Sequence, residues 1–300
     1  MELPPAALFF TAAIRFDTLI AMPQHASIEV RRAEVLTSRE NRWLKRFRAA
    51  LKGSPDDACI GVEGVHLVQE ALRSGLGIEA VLVSAAGERH LGKLSPRLTR
   101  AIQLLRTSDR LFDSVTATET PQGIAALVHP RQTSFDDLLK GGTPLVVVLV
   151  GVQDPGNVGT IVRSAEAFGA TGAVATRGTA QPFSPKSLRG SAGSALRLPI
   201  VSGIAPAIII AQLRVAGLQI FAASSTDAAG AVLPSAVDLK QPCALLIGNE
   251  GAGLPPEIER SADQLVRIPL AAPVESLNAA VAAAVLLYEA ARQRNALQEK

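Results

Sequence analysis

Six consecutive apolar residues, Leu145–Val150, most constrain what this chain can fold into. An unbroken apolar run of strand length has no polar side to turn to water. It reads as a strand of a parallel sheet covered on both faces. Parallel neighbours need crossover connections, usually helices, and the residues that follow supply them. The pattern predicts a helix over 158–168, a strand over 172–175, a helix over 207–216, strands over 218–223, 244–247 and 265–268, and a closing helix over 276–294. Residues 144–300 are therefore expected to form an α/β domain.

A smaller α/β domain is expected over 37–130. Residues 38–51 read as an amphipathic helix capped by Ser38, with Trp43, Leu44, Phe47 and Leu51 at helical spacing and Arg39, Arg42 and Arg46 on a second stripe. Strands are predicted over 59–63, 78–84, 101–105 and 123–128, and helices over 65–74 and 109–115. Residues 131–143, ending Gly141-Gly142-Thr143, read as a linker, and 1–36 as a loosely ordered extension in which Met22 is an alternative start. No internal repeat is visible.

The chain has 300 residues, 48% of them hydrophobic but only 4% aromatic, so its cores must be aliphatic. The net charge of +3 is unevenly placed: residues 27–52 carry eight basic side chains against three acids. A second basic cluster lies over 88–110, with six against two. Such clusters point to a polyanionic partner. Cys59 and Cys243 show neither disulfide nor metal spacing, and the four histidines are scattered, so no metal and a reducing compartment are expected. The longest apolar run falls far short of the roughly 20 residues of a membrane span, and residues 3–14 lack the basic start of a signal peptide. The cytoplasm is the expected location.

Three turns follow predicted strands, where ligands of open parallel sheets sit. The first, Gly151-Val152-Gln153-Asp154-Pro155-Gly156-Asn157, leads to Arg163 and Glu166, three apart on one helix face. Read alone, this is a strand–helix turn with a surface ion pair. The second, Gly248-Asn249-Glu250-Gly251-Ala252-Gly253, lets a ligand approach the backbone, but matches neither the dinucleotide nor the P-loop fingerprint. The third, residues 268–278, offers Ser276 as a helix cap and Asn278 in the first turn. A fourth stretch, residues 185–199, carries Lys186 and Arg189 and reads either as a phosphate site or as a short solvated helix.

Together and in order, the stretches DPGNVGTIVRSAEAFGA, PKSLRGSAGSALRLPI, LLIGNEGAGLPPEI and IPLAAPVESLNAAVAAAVLLYEAARQR make residues 144–295 resemble the catalytic domain of the SpoU (TrmH-like) family of RNA ribose 2′-O-methyltransferases. SRENRWLKRFRAAL, IGVEGVHLVQEAL and TETPQGIAALV make residues 37–130 resemble the family's N-terminal RNA-binding domain, related to a small ribosomal-protein fold. The resemblance implies a SPOUT-type α/β domain with a deep trefoil knot, and S-adenosylmethionine held mainly by backbone at Gly248, Ile268 and Leu277, with Ile247, Asn249 and Gly251 beside them. It implies Arg163 as the catalytic arginine, surrounded by Asn157, Glu250, Ser276 and Asn278, with Glu166 placed to orient it. Arg39, Arg42, Lys45, Arg46, Lys186 and Arg189 would grip RNA, ribosomal or transfer. A homodimer through the C-terminal domain, with the apolar surface of Ala279–Leu287 at its interface, is implied too. Ala272 departs from the glycine that many members carry. A non-catalytic RNA-binding protein keeping the fold is the alternative, and a nucleotide-dependent oxidoreductase suffers from the missing fingerprint.

Overall fold

A computed structural model describes residues 33–53, 59–99, 101–116, 118–224 and 230–294. The expected extension, up to residue 32 and including Met22, lies outside them. The first sheet has strands β1 (Glu34–Leu36), β2 (Ile60–Glu63), β3 (Gly77–Ser84), β4 (Gln103–Thr107) and β5 (Ile124–His129), in the order β1-β4-β3-β5-β2. β5 runs antiparallel to both its neighbours; the other pairs are parallel. Helices α1 (Arg42–Leu51), α2 (Val65–Arg73), α3 (Leu91–Leu94) and α4 (Asp109–Asp113) accompany it.

The second sheet has β6 (Leu145–Leu149), β7 (Gly172–Thr176), β8 (Ile200–Ile204), β9 (Gln219–Ser224), β10 (Cys243–Ile247) and β11 (Gln264–Arg267), in the order β11-β9-β10-β6-β7-β8. Every pair is parallel. Its helices are α5 (Pro155–Ala167), α6 (Pro185–Ser191), α7 (Pro206–Val215), α8 (Pro256–Glu259) and α9 (Ala279–Gln293). No helix among the described residues is long and apolar enough to cross a membrane.

The apolar run does what its composition demands. Leu145, Val147 and Leu149 face one core, shared with Val158, Ile161 and Val162 of α5 and Ala283 and Leu287 of α9. Val146, Val148 and Val150 face the other, against Ile209, Ile210 and Leu213 of α7. Alternate side chains of one strand thus feed two cores. β10 lies between β9 and β6, so the chain reverses direction across the sheet beside β6. The turns leaving β6, β10 and β11 consequently emerge along one edge, at the strands' carboxyl ends.

Several boundaries differ from the sequence reading, each for a local reason. Glu34–Leu36 is not part of a loose extension: it pairs with β4 as the sheet's edge strand. Asn41, not Ser38, caps α1, its side chain accepting from Trp43 N at 2.8 Å. Asn278, not Ser276, caps α9, accepting from Ala280 N at 2.8 Å. The expected linker contains a 3₁₀ turn, Phe135–Leu139, closed by a Ser134–Asp137 capping box, and Leu138 is fully buried in the larger domain. β8 carries no apolar run because it is an edge strand with a register shift opposite it and Gly203 at φ 80°. Residues 185–191 are not a solvated helix: Ser187, Leu188 and Ser191 of α6 are buried.

α5 and α6 cross at backbone distance. A Cβ on Gly159 would stand 2.3 Å from Ser187 O and 2.8 Å from Ser191 N. Both obstacles are backbone, so the helices must separate to admit a methyl. Gly159→Ala is expected to destabilise the fold by about 2–3 kcal/mol, seen as a lower urea midpoint with an unchanged slope.

Candidate active site

The ends of β9, β10 and β11 and the segments after β10 and β11 form one cleft, and the turn after β6 is fastened to it through Glu250. Ile247, Val266, Ile268, Leu270 and Leu277 give it apolar walls, and Gly248, Asn249, Glu250, Gly251 and Ser276 also line it. Its cavity volume is about 150 Å³, and it opens to solvent at its mouth. Ala223 and Ser224 at the end of β9, Gly253, and Ala279 and Ala282 of α9 complete the lining. The sequence reading missed Ala223, Ser224, Val266 and Ala282, which lie in strand and helix interiors or ends and carry neither charge nor glycine.

The loop after β10 is stiffened from inside. Asn249 and Gly253 exchange backbone hydrogen bonds of 2.9 and 3.0 Å. The Asn249 side chain accepts from Gly251 N and Ala252 N, both at 2.9 Å, and donates to Gly151 O at 2.9 Å. Its amide and its backbone groups are both engaged in holding the loop. Gly248 is required by the chain rather than by a ligand: a Cβ there would lie 2.4 Å from the Gly253 carbonyl carbon and 2.6 Å from Leu254 N.

Glu250 joins this loop to the first turn. Its carboxylate accepts from Gln153 N and Asp154 N, both at 3.2 Å, and from Asn157 Nδ2 at 2.9 Å. Asn157 Oδ1 then accepts from Asn278 Nδ2 at 3.0 Å, and Asn278 Oδ1 caps α9. Burial pushes the Glu250 carboxyl up, but the hydrogen bonds from Asn157 and from backbone N–H groups outweigh it and hold the group below the ordinary carboxylate range. One side-chain chain therefore links three segments, with Asn157 standing 93 residues from Glu250 and 121 from Asn278.

Of the five residues expected to act together, Asn157 bridges Glu250 and Asn278 by hydrogen bonds, and Glu250 and Ser276 line the cleft. Arg163 does not line it. It is exposed on α5, with no hydrogen bond or ion pair among the described residues. Glu166 does not orient Arg163: both its oxygens are held at 2.7 Å by Nε and Nη2 of Arg197. The expected RNA-gripping residues divide. Arg39, Arg42 and Arg189 are exposed, with Arg42 5.5 Å from the Trp43 ring centre. Lys45 pairs with Glu40 and Lys186 with Asp154, at 2.7 and 2.8 Å, both on the surface. Arg46 is turned inward, forked onto both oxygens of Glu79, a partner too distant in sequence for helical spacing to reveal.

Cys59, Glu79 and His129 bring one potential metal donor each to within 4.8 Å of one another. Arg46 already occupies both Glu79 oxygens and holds that carboxyl below its usual range, so a guanidinium stands where a cation would have to sit.

Two tests follow from this geometry. Gly248→Ala should open the loop after β10 and weaken ligand binding in the cleft at least about tenfold, while overpacking costs about 1–3 kcal/mol of stability; calorimetry and thermal melting check the pair. Glu250→Gln replaces an acceptor by an N–H facing N–H donors, a loss of about 1–3 kcal/mol. Because the Glu250 carboxyl is held low, its stabilisation is complete near neutral pH and is lost as pH falls through its folded value. The stability gap between wild type and Glu250→Gln should therefore be full at about pH 7 and shrink towards about pH 3 in denaturant titrations.

Comparison with known proteins places this geometry. Residues 144–288 match the SpoU rRNA Methylase family, and residues 56–126 match the MRM3-like substrate binding domain. The 23S rRNA (guanosine(2553)-2′-O)-methyltransferase RlmP of Bacillus subtilis is 35% identical over 227 residues, 76% of this chain and 86% of that protein. The 23S rRNA (uridine(2479)-2′-O)-methyltransferase of Streptomyces viridochromogenes is 35% identical over 239 residues, 78% and 82% of the two chains. Among solved structures, the AdoMet-bound rRNA methyltransferase of Sinorhizobium meliloti superposes with a TM-score of 0.75 at 33% identity, covering 89% of this chain and 99% of that one. The SpoU methyltransferase AviRb of Streptomyces viridochromogenes, in complex with AdoMet, gives 0.75 at 28% identity over 86% and 100%. With relatives 35% identical over most of both chains and the family match over residues 144–288, the chain belongs to the SpoU family of RNA methylases.

Proposed function

We propose that this protein transfers a methyl group from S-adenosylmethionine to a ribose 2′-hydroxyl of ribosomal RNA. The observation that carries the reading is the meeting of the ends of β9, β10 and β11 in one cleft, with the turn after β6 fastened to it by the Glu250–Asn157–Asn278 chain. The cleft suits the cofactor: apolar walls for the adenine, with Gly248, Ile268 and Leu277 along them offering backbone partners. Ribosomal rather than transfer RNA is favoured by the 23S rRNA relatives, which match most of both chains.

Bound cofactor supplies an electrophilic methyl on a sulfonium; the chain's own task is to present the ribose oxygen and manage its proton. Positioning dominates such a transfer. Arg163, exposed and unpaired among the described residues, is free to fork onto the neighbouring phosphate and to stabilise charge developing on the ribose oxygen. A guanidinium stays protonated near neutral pH, which favours this clamp over a general base. The exposed Arg39 and Arg42 of the small domain hold the RNA backbone, a contact weakened by salt.

The same reading includes a deep trefoil knot, supported by residues 268–278 passing beside the loop after β10. It includes a homodimer, supported by a shallow apolar groove in which Val281, Val285 and Tyr288 of α9, all partly exposed, lie beside Thr160 of α5. Arg163 is one turn from Thr160, so a second copy seated there would flank it. The cytoplasm is the compartment proposed.

Wild-type protein with labelled cofactor should methylate ribosomal RNA from cells lacking it, at a ribose found by mapping; folded, cofactor-bound protein that labels no RNA would sink the reading. Arg163→Ala should cut the single-turnover rate by about 100-fold or more with cofactor affinity unchanged. A nearly normal rate for Arg163→Lys would refute the forked clamp.

A further inference from the structure

The small domain and the catalytic helix are joined by a half-buried ionic relay. Arg197, just past the 3₁₀ turn Ser194–Leu196, forks onto Glu166 of α5 through Nε and Nη2, both at 2.7 Å. Its remaining nitrogen, Nη1, donates to Glu70 Oε2 on α2 of the small domain. Arg73 Nη1 donates to the other Glu70 oxygen at 2.7 Å. The side chains are only 13% exposed at Glu70, 29% at Glu166 and 34% at Arg197, so water screens them less than a surface pair.

The backbone is shaped around this contact. Ala192 adopts φ 49°, unusual for a residue with a side chain. Gly193 adopts φ 93°, and a Cβ there would stand 2.8 Å from Glu70 Cβ. His66, one turn before Glu70 on α2, places Nε2 3.2 Å from Ala192 O. Glu166 lies three residues after Arg163, on the same side of α5.

We propose that Arg197 is a positioning residue that couples the RNA-gripping domain to the helix carrying Arg163. The inference rests on the methyltransferase reading above. Arg197 touches no reacting atom; it fixes the span between the basic face of α1 and the transfer centre. The planar fork on Glu166 resists rotation of α5, and the third nitrogen ties that orientation to α2. RNA held by the small domain therefore meets Arg163 at one distance and angle.

The test uses full-length protein, ribosomal RNA from cells lacking it, and saturating S-adenosylmethionine. Glu70→Met keeps the stem beside Gly193 and removes the carboxylate; Arg197→Gln removes the fork. Each should lower the single-turnover rate about tenfold at saturating RNA, with affinities for RNA and cofactor within about twofold of wild type. The double variant should be no slower than Arg197→Gln, since both break one relay. Arg197→Lys, which keeps the charge, should recover part of the rate. A single-variant rate within about twofold of wild type, a multiplied loss in the double variant, or a loss explained by weaker RNA or cofactor binding would each overturn the proposal. If Arg197→Gln does not fold, Glu70→Met alone decides, since it leaves the Arg197–Glu166 pair intact. If wild type labels no RNA, the function reading fails instead. The relay is then judged by hydrogen exchange of α5, expected to quicken in Glu70→Met; unchanged exchange overturns it.

Discussion

A single carboxylate holds the cleft together. Glu250 accepts two backbone N–H groups from the turn after β6 and the amide of Asn157, and through Asn157 reaches the cap of α9. Without it the N–H groups of Gln153 and Asp154 lose this acceptor, and the turns after β6 and β10 lose their shared fastening. An ionised carboxylate is well suited: it accepts in several directions and donates nothing. Every hydrogen bond the structure gives this carboxylate is a fastening between loops.

The second organising constraint is backbone proximity around α6. Gly159 of α5 admits the Ser187 carbonyl, and Gly190 lies against Gly156 O at a would-be Cβ distance of 3.2 Å. On its far side, Gly193 admits the stem of Glu70. α6 is thus wedged between α5 and the small domain, and the relay through Arg197 runs past its end. Lys186 at its start closes the wedge by pairing with Asp154, the cap of α5. The segment read from sequence as a phosphate site or a solvated helix packs against both α5 and the small domain, with Lys186 and Arg189 exposed.

Sequence and structure divide along a physical line. Elements whose pattern is local were legible: the all-apolar β6, the amphipathic face of α1, and α9 to within a few residues at its start. So was the grouping of Asn157, Glu250, Ser276 and Asn278, through a family resemblance carried by ordered motifs. Features that depend on a distant partner were not. Arg46 sits on the same stripe as Arg42, but Glu79, supplied by β3, turns it inward. Glu166 sits at ion-pair spacing from Arg163, but Arg197 takes it first, because a fork onto a half-buried carboxylate outcompetes a contact in open solvent.

The sequence by itself determined a covered parallel sheet, a small basic domain ahead of it, and three turns fit to build a cofactor site, because apolar periodicity, charge and glycine placement act over a few residues. Tertiary structure decided which polar groups are free to act. Asn249 and Glu250 are spent on fastening loops and Arg46 on its own domain, while Arg163 is left exposed. The reason is that a hydrogen-bonding group is assigned by whichever partner the fold brings nearest and shields best from water, and that partner can lie a hundred residues away.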